Sequence, residues 1–303
     1  MPLHRTTATL LVTLAAFSAA FAAAARAHDA EGSPPGRIVF PVVGPVKYYD
    51  DFGEPRGGGA HQGNDILAER NAPVVAAEAG TVTLWTTSRN AGCMLYLHGR
   101  SGTTYLYIHL NNDLTARNDN RGGCVPGVAY APGLKDNQSV RAGELLGFVG
   151  DSGDADGIHP HLHFEVHPGD GGAVSPYPWL RRGRRLLYAV PNDVERPLAL
   201  TLVGTVRATT PSDVGEPRLT LTLRQVKLSN GWTLKNDRAI VLRVPSETVV
   251  EQMSASGARP AMIDSATAGQ VLSATVDIGE PTLKTQLASP GVLAAARLLL
   301  SAS

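Results

Sequence analysis

From residue 38 to residue 166 the apolar residues come in short bursts, among them PVVAAEAGTVTLW, CMLYLHG, TTYLYIHL and ELLGFVG, each broken by glycine. Bursts this short and this closely spaced build strands, and they leave no room for the helical crossovers of βαβ units. The first part of the chain is therefore expected to be an all-β, antiparallel domain. Glycine (32) and proline (21) are frequent and aromatics make up only 6%, a balance that suits turns and strands. The alternation returns after Arg196 in LALTLVGTVRA, RLTLTLRQVKL, AIVLRVP and GQVLSATVDIG. A second, smaller β domain is expected there, closed by PGVLAAARLLL, which reads as a helix.

Two domains suit 303 residues. The expected layout is a leader at 1–27, a linker at 28–37, a first domain at 38–180, a connector at 181–195 and a C-terminal β domain at 196–303. The connector carries RRGRR, read as a solvated charge cluster, with contact to an anionic polymer as the competing reading. Lys+Arg and Asp+Glu are both 27. No global field directs such a chain to nucleic acid or to a membrane surface.

The N-terminus reads separately. A short basic start at His4 and Arg5 precedes an apolar run from Ala8 to Ala25, and Ala25-Arg26-Ala27 is a small-x-small cleavage pattern. That is the layout of a secretory signal peptide cut after Ala27. A membrane anchor is the competing reading, but the run is barely long enough to span and lacks a basic stop. No Arg-Arg pair points to the twin-arginine route and no cysteine sits at the cleavage point, so export by the Sec route is expected. The protein would then act outside the cell, in the wall or in the periplasm, with no transmembrane segment left after cleavage. In an exported chain Cys93 and Cys124, the only cysteines, are expected to pair as a structural disulfide.

Chemistry concentrates in three places. In HPHLHFEVHP, residues 159–168, strand parity puts Leu162, Phe164 and Val166 on one face and His161, His163, Glu165 and His167 on the other. An apolar face for a core and an ionisable face for a cleft are what a site on a rigid strand needs. In HQGND, His61 and Asp65 stand four apart around a glycine, and imidazole nitrogen and carboxylate oxygen are both good zinc ligands. In TYLYIHL, parity groups Tyr105, Tyr107 and His109 on a face turned away from the core. Each piece also has an ordinary reading, as an exposed histidine-rich strand, a chance spacing or a hydrogen-bonded surface histidine.

Taken together, in this order and spacing, the three pieces resemble the lysostaphin/LytM-type zinc metallopeptidases, which are peptidoglycan endopeptidases. H-x-x-x-D is present as His61 to Asp65, the Tyr-x-His-Leu strand as Tyr107 to Leu110, and H-x-H as His161 to His163 after the glycine-punctuated SVRAGELLGFVGDSG. The likeness covers about Phe40 to His167 and does not reach the C-terminal third.

The resemblance implies a lysostaphin-like sheet domain of the duplicated hybrid motif type, with a groove. It also implies one Zn2+ held by His61, Asp65 and His163, with His109 and His161 as the catalytic pair. Which of the two is the general base stays open. Glu165 would orient a ligand or form a strand-edge salt bridge, and His159 and His167 fall outside the matched positions. The implied partner is the peptide of peptidoglycan, acted on by a monomer. The alternative function is a non-catalytic wall-binding or amidase-activating module of the same fold. One departure stands out: the long polar stretch 111–137, with Cys124 inside it, adjoins the expected groove and is expected to shape substrate entry.

Overall fold

The computed structural model describes residues 35–190, 197–211, 215–229 and 231–302. The expected signal peptide, and the expected linkers in part, lie outside the described residues.

Eleven strands make up the first part: β1 (Val46–Lys47), β2 (Pro55–Arg56), β3 (Gly59–Ala60), β4 (Asn64–Ala68), β5 (Pro73–Val75), β6 (Gly80–Ser88), β7 (Gly92–Gly99), β8 (Thr103–Leu110), β9 (Ser139–Val140), β10 (Leu145–Phe148) and β11 (His161–Pro168). Seven form one sheet in the order β1-β4-β11-β8-β7-β6-β9, while β10 pairs with β5 and β2 with β3. Every one of these pairs is antiparallel. One face of the large sheet is the core. Val82, Leu95, Leu97, Tyr105, Tyr107, Leu162, Phe164 and Val166 are all buried there, packed on Val74, Val75, Leu145 and Phe40. The other face is open, and the chemistry lies on it.

The second part holds β12 (Leu198–Thr210), β13 (Arg218–Leu228), β14 (Thr233–Lys235), β15 (Ala239–Arg243), β16 (Val249–Ser254), β17 (Gly257–Pro260), β18 (Val271–Gly279) and β19 (Arg297–Leu300). They form one sheet in the order β14-β13-β12-β18-β19-β16-β17, with β15 also on β13. This sheet has its own buried cluster, built on Leu200, Leu202, Leu221, Leu223, Leu242 and Leu298. Trp232 packs against both clusters, with its ring 5.6 Å from that of Phe148. Leu186, Leu187 and Tyr188, inside the stretch read as a connector, are buried. Among the described residues no helix is long and apolar enough to cross a membrane.

Two expectations are corrected. PGVLAAARLLL is not a helix: Arg297–Leu300 is a strand, antiparallel to β18 and parallel to β16. Two open edges compete with helix propensity there and win, because each residue gains ladder hydrogen bonds as well as burial. In β8, Tyr105 and Tyr107 point into the core rather than away from it, and the Tyr107 hydroxyl accepts the Ala77 N–H at 2.8 Å.

Candidate metal centre

Continued alternation along β8 would drive His109 into the core beside Tyr107. A bulge prevents this. Leu95 pairs with Tyr107 but Cys93 pairs with Leu110, so a two-residue step on β7 meets a three-residue step on β8. His109 absorbs the extra residue at φ +62°, a left-handed conformation that costs a non-glycine residue about 1 kcal/mol or more. The surroundings hold it there: its N–H donates to Ala91 O (3.1 Å), and its carbonyl accepts the Gly150 N–H (3.2 Å). Ile108 and His109 consequently both line the open face, and with Asn90, Ala91, Asp154 and His163 they border a shallow, open pocket of about 180 Å³.

The strand β11 follows its expected parity, with Leu162, Phe164 and Val166 fully buried. His163 pairs across the ladder with Asp65 of β4, so their side chains meet on the open face. His61 enters from the turn before β4. A Cβ on Gly63 would lie 2.5 Å from Phe164 O and 2.8 Å from His163 Nε2, so only glycine lets HQGND pack this closely against β11.

The result is a triangle of ligand atoms. His61 Nε2 lies 2.9 Å from His163 Nδ1 and 3.1 Å from Asp65 Oδ1, and His163 Nδ1 lies 3.1 Å from the same oxygen. The partners on the far side of each ring fix the protons. His61 Nδ1 faces the carbonyl of Asp51 at 2.9 Å and so donates to it. His163 Nε2 faces Glu165 Oε1 at 3.0 Å and donates likewise. When both rings are neutral the inward nitrogens carry lone pairs aimed at each other and at a carboxylate oxygen, an arrangement that a metal ion or a proton on one ring satisfies.

The titration behaviour agrees. Burial opposes a charge on His163, but hydrogen bonds and charges from Asp65 and Glu165 outweigh it and lift the ring to about 9. Burial alone would raise Asp65, yet its hydrogen bond to His163 and the nearby histidines hold it well below the usual carboxylate range. In the absence of a metal, a proton on His163 satisfies the pocket, and a metal ion would displace it.

Groups around the triangle keep it in shape. Asp51 is buried and binds Asn64 Nδ2 (2.5 Å) and the Asp65 N–H (3.3 Å). Arg56 reaches Asp65 Oδ2 at 3.2 Å, the carboxylate oxygen outside the triangle. Glu165 also accepts from His167 Nε2 at 2.7 Å, and burial, which would raise it, is overcome by His163 and His167, which lower it. Glu165 is thus bonded to a ring of the triangle, the first of its two expected roles. His167 turns its other nitrogen to Gly171 O, and His159 turns its Nδ1 to Pro160 O; neither ring takes part in the triangle.

His161 and His109 stand beside it. His161 Nε2 is 3.7 Å from Asp65 Oδ1, and the His109 and His161 rings are 5.0 Å apart. Each Nδ1 faces a backbone carbonyl, His159 O at 2.9 Å and Ser152 O at 2.8 Å respectively, which leaves each Nε2 free towards the cleft. Burial and the charge of His161 lower His109 to about 4. Ser152 itself accepts the Cys93 N–H and donates to Leu110 O. All five expected residues therefore converge. Sequence reasoning missed Asp51, Arg56 and Ser152, although Asp51 and Arg56 lie within fifteen residues of Asp65 on the far side of a glycine-rich turn.

Residues 59–121 match the model of peptidase family M23. The chain is 28% identical over 159 residues to the L-Ala–D-Glu endopeptidase of Bacillus subtilis, covering 49% of this chain and 44% of that protein. It spans less than half the length of the curated relatives it matches. Among solved structures it is similar to lytM from Ruminococcus gnavus, at 26% identity and TM-score 0.37, over 48% of this chain and 59% of that one. It is also similar to the catalytic domain of lysostaphin from Staphylococcus simulans, at 24% identity and TM-score 0.35, over 45% and 92%.

Proposed function

We propose, from the premise that this chain carries a lysostaphin/LytM-type domain of peptidase family M23, that it is an exported zinc-dependent endopeptidase cutting peptide bonds in bacterial peptidoglycan. The observation that supports it best is the triangle of ligand atoms on His61, Asp65 and His163, 2.9–3.1 Å apart. Two imidazoles and one carboxylate suit Zn2+, and three protein ligands leave the open position of a catalytic site. Zinc bound there would supply Lewis-acid activation of water and of the scissile carbonyl.

The chain's own residues supply the rest. His109, kept neutral by burial, has its Nδ1–H committed to Ser152 O, so its Nε2 is the proton acceptor of the pair. A histidine with that tautomer cannot donate from Nε2 until it has taken up a proton, and having done so it can hand that proton to the leaving amine. His161, nearer the ligand triangle, has its Nδ1–H committed in the same way to His159 O, so it acts as donor to the oxyanion in its doubly protonated form. The fixed carbonyl partners hold both rings at their angles and cost no reorganisation during the reaction. A wall-binding module that had lost its chemistry would lack one or more of these five residues, and all five are present.

Digestion of purified peptidoglycan by the metal-loaded protein, with mass analysis of the fragments, tests the reading and identifies the bond. His61→Ala is expected to lose both zinc and activity, and His109→Ala to keep zinc stoichiometry while losing at least about a hundredfold in rate. Full zinc content in His61→Ala would overturn the ligand assignment.

A further inference from the structure

The open face of the large sheet carries a second feature that the chemistry above does not use. Trp85, Tyr96 and His98 form a row of rings there: Trp85 and Tyr96 lie 6.1 Å apart edge to face, and Tyr96 and His98 lie parallel at 6.2 Å. The ladder settles which face this is. His167 pairs with Thr104 and Thr104 with His98, while Glu165 pairs with Leu106 and Leu106 with Tyr96. Cross-strand partners share a face, so the rings stand on the side that bears Glu165 and, through it, His163. From β11 to β7 is two strand spacings, about 10 Å.

The row is open to solvent at both ends. Trp85 is 46% exposed and His98 is exposed as well. The His98 ring is fixed at both nitrogens, with Nε2 3.2 Å from Thr83 Oγ1 and Nδ1 3.1 Å from Thr104 Oγ1. Its cross-strand neighbours on this face of β6 and β7 are Thr81, Thr83 and Met94, none of them charged. A nucleic acid or an anionic polymer would call for Lys or Arg along the row, and a lipid surface for a basic rim. Flat rings edged by hydroxyls complement a pyranose, which has an apolar C–H face and a rim of hydroxyls.

We propose that Trp85, Tyr96 and His98 form a saccharide subsite that holds the glycan strand of peptidoglycan while the attached peptide lies over the metal centre. The assignment rests on the peptidoglycan reading above for the identity of the sugar, and on the shared sheet face for the continuity of the two sites. The His98 ring, already held at both nitrogens, loses little freedom on binding.

The test is a titration of the zinc-loaded full chain with the tetramer of β-1,4-linked N-acetylglucosamine, followed by tryptophan emission and by NMR shifts. Saturable binding is expected, with Kd weakened at least tenfold in Trp85→Ala and in Tyr96→Ala and held within about threefold in Trp85→Phe. Thermal melting of each variant verifies the fold. His61→Ala, titrated in parallel, is expected to bind the tetramer as the parent does, so a failure of the peptidase reading would leave this result standing. Absence of saturable binding, or binding as tight as the parent's in both alanine variants, would overturn the subsite, as would its loss in His61→Ala.

Discussion

His109 is the residue at which local conformation, burial and chemistry meet. Its ring is buried and neutral, lowered to about 4 by burial first and the charge of His161 second. An unfolded chain would protonate the same ring near pH 6.5. Between those values the unfolded state binds more protons, so stability falls as pH drops from about 6.5 to about 4 and levels off below. The loss attributable to this residue is about 3 kcal/mol. Urea unfolding of the chelated protein at pH 7 and pH 4, compared with His109→Ala, isolates it from the carboxylates that also titrate: the parent should lose about 3 kcal/mol more than the variant. The sequence revealed the importance of His109 but not its route to the cleft. Parity alone sent the tyrosines of β8 outward, because nothing in TYLYIHL marks a bulge and histidine at positive φ carries no sequence signal of its own.

At the scale of elements, the strand β11 was legible because its apolar and ionisable residues alternate without interruption. The last strand was not. Alanine and leucine favour a helix in isolation, and only the exposed ladders of β16 and β18 turn Arg297–Leu300 into a strand. Cys93 and Cys124 do pair, tying the stretch 111–137 to the start of β7. Asp113 holds that stretch from within, accepting the N–H groups of Asp119 and Asn120 and pairing with Arg70, which also grips Asp151. Asn118 and Asn120 both donate to Asp156, joining the insert to the approach of β11 beside the cleft. The disulfide closes a 31-residue separation, worth about 3–4 kcal/mol in chain entropy. Cys93→Ala/Cys124→Ala is expected to unfold at correspondingly lower urea while retaining zinc, since none of the three ligands lies inside the closed segment.

At the scale of the molecule, the two sheets each carry a core, and among the described residues they meet through Phe148 with Trp232, through the exposed ion pair of Glu69 with Lys235, and through Leu234, Leu283 and Leu287 packed on the first core. The candidate ligands all belong to the first sheet or the turn before β4. A metal bound there would stabilise that sheet directly, by about 2.7 kcal/mol at a hundredfold excess over Kd. Amide hydrogen exchange with zinc and with chelator should differ most in β4, β8 and β11 and least in β12, β13 and β18. A uniform change across both sheets would mean that they unfold as one unit. The composition of the second sheet showed its strands clearly, because they alternate; its contact with the first was not legible, since Trp232 and Phe148 are ordinary apolar residues 84 positions apart.

The pairing of Asp65 with His163 across β4 and β11 has one more consequence. These two ligands come together only in one alignment of the two strands, and a slip of a single residue would turn one of them towards the core. Metal binding at this triangle would therefore depend on strand alignment, because a chain paired one residue out of place would not present both ligands on the open face.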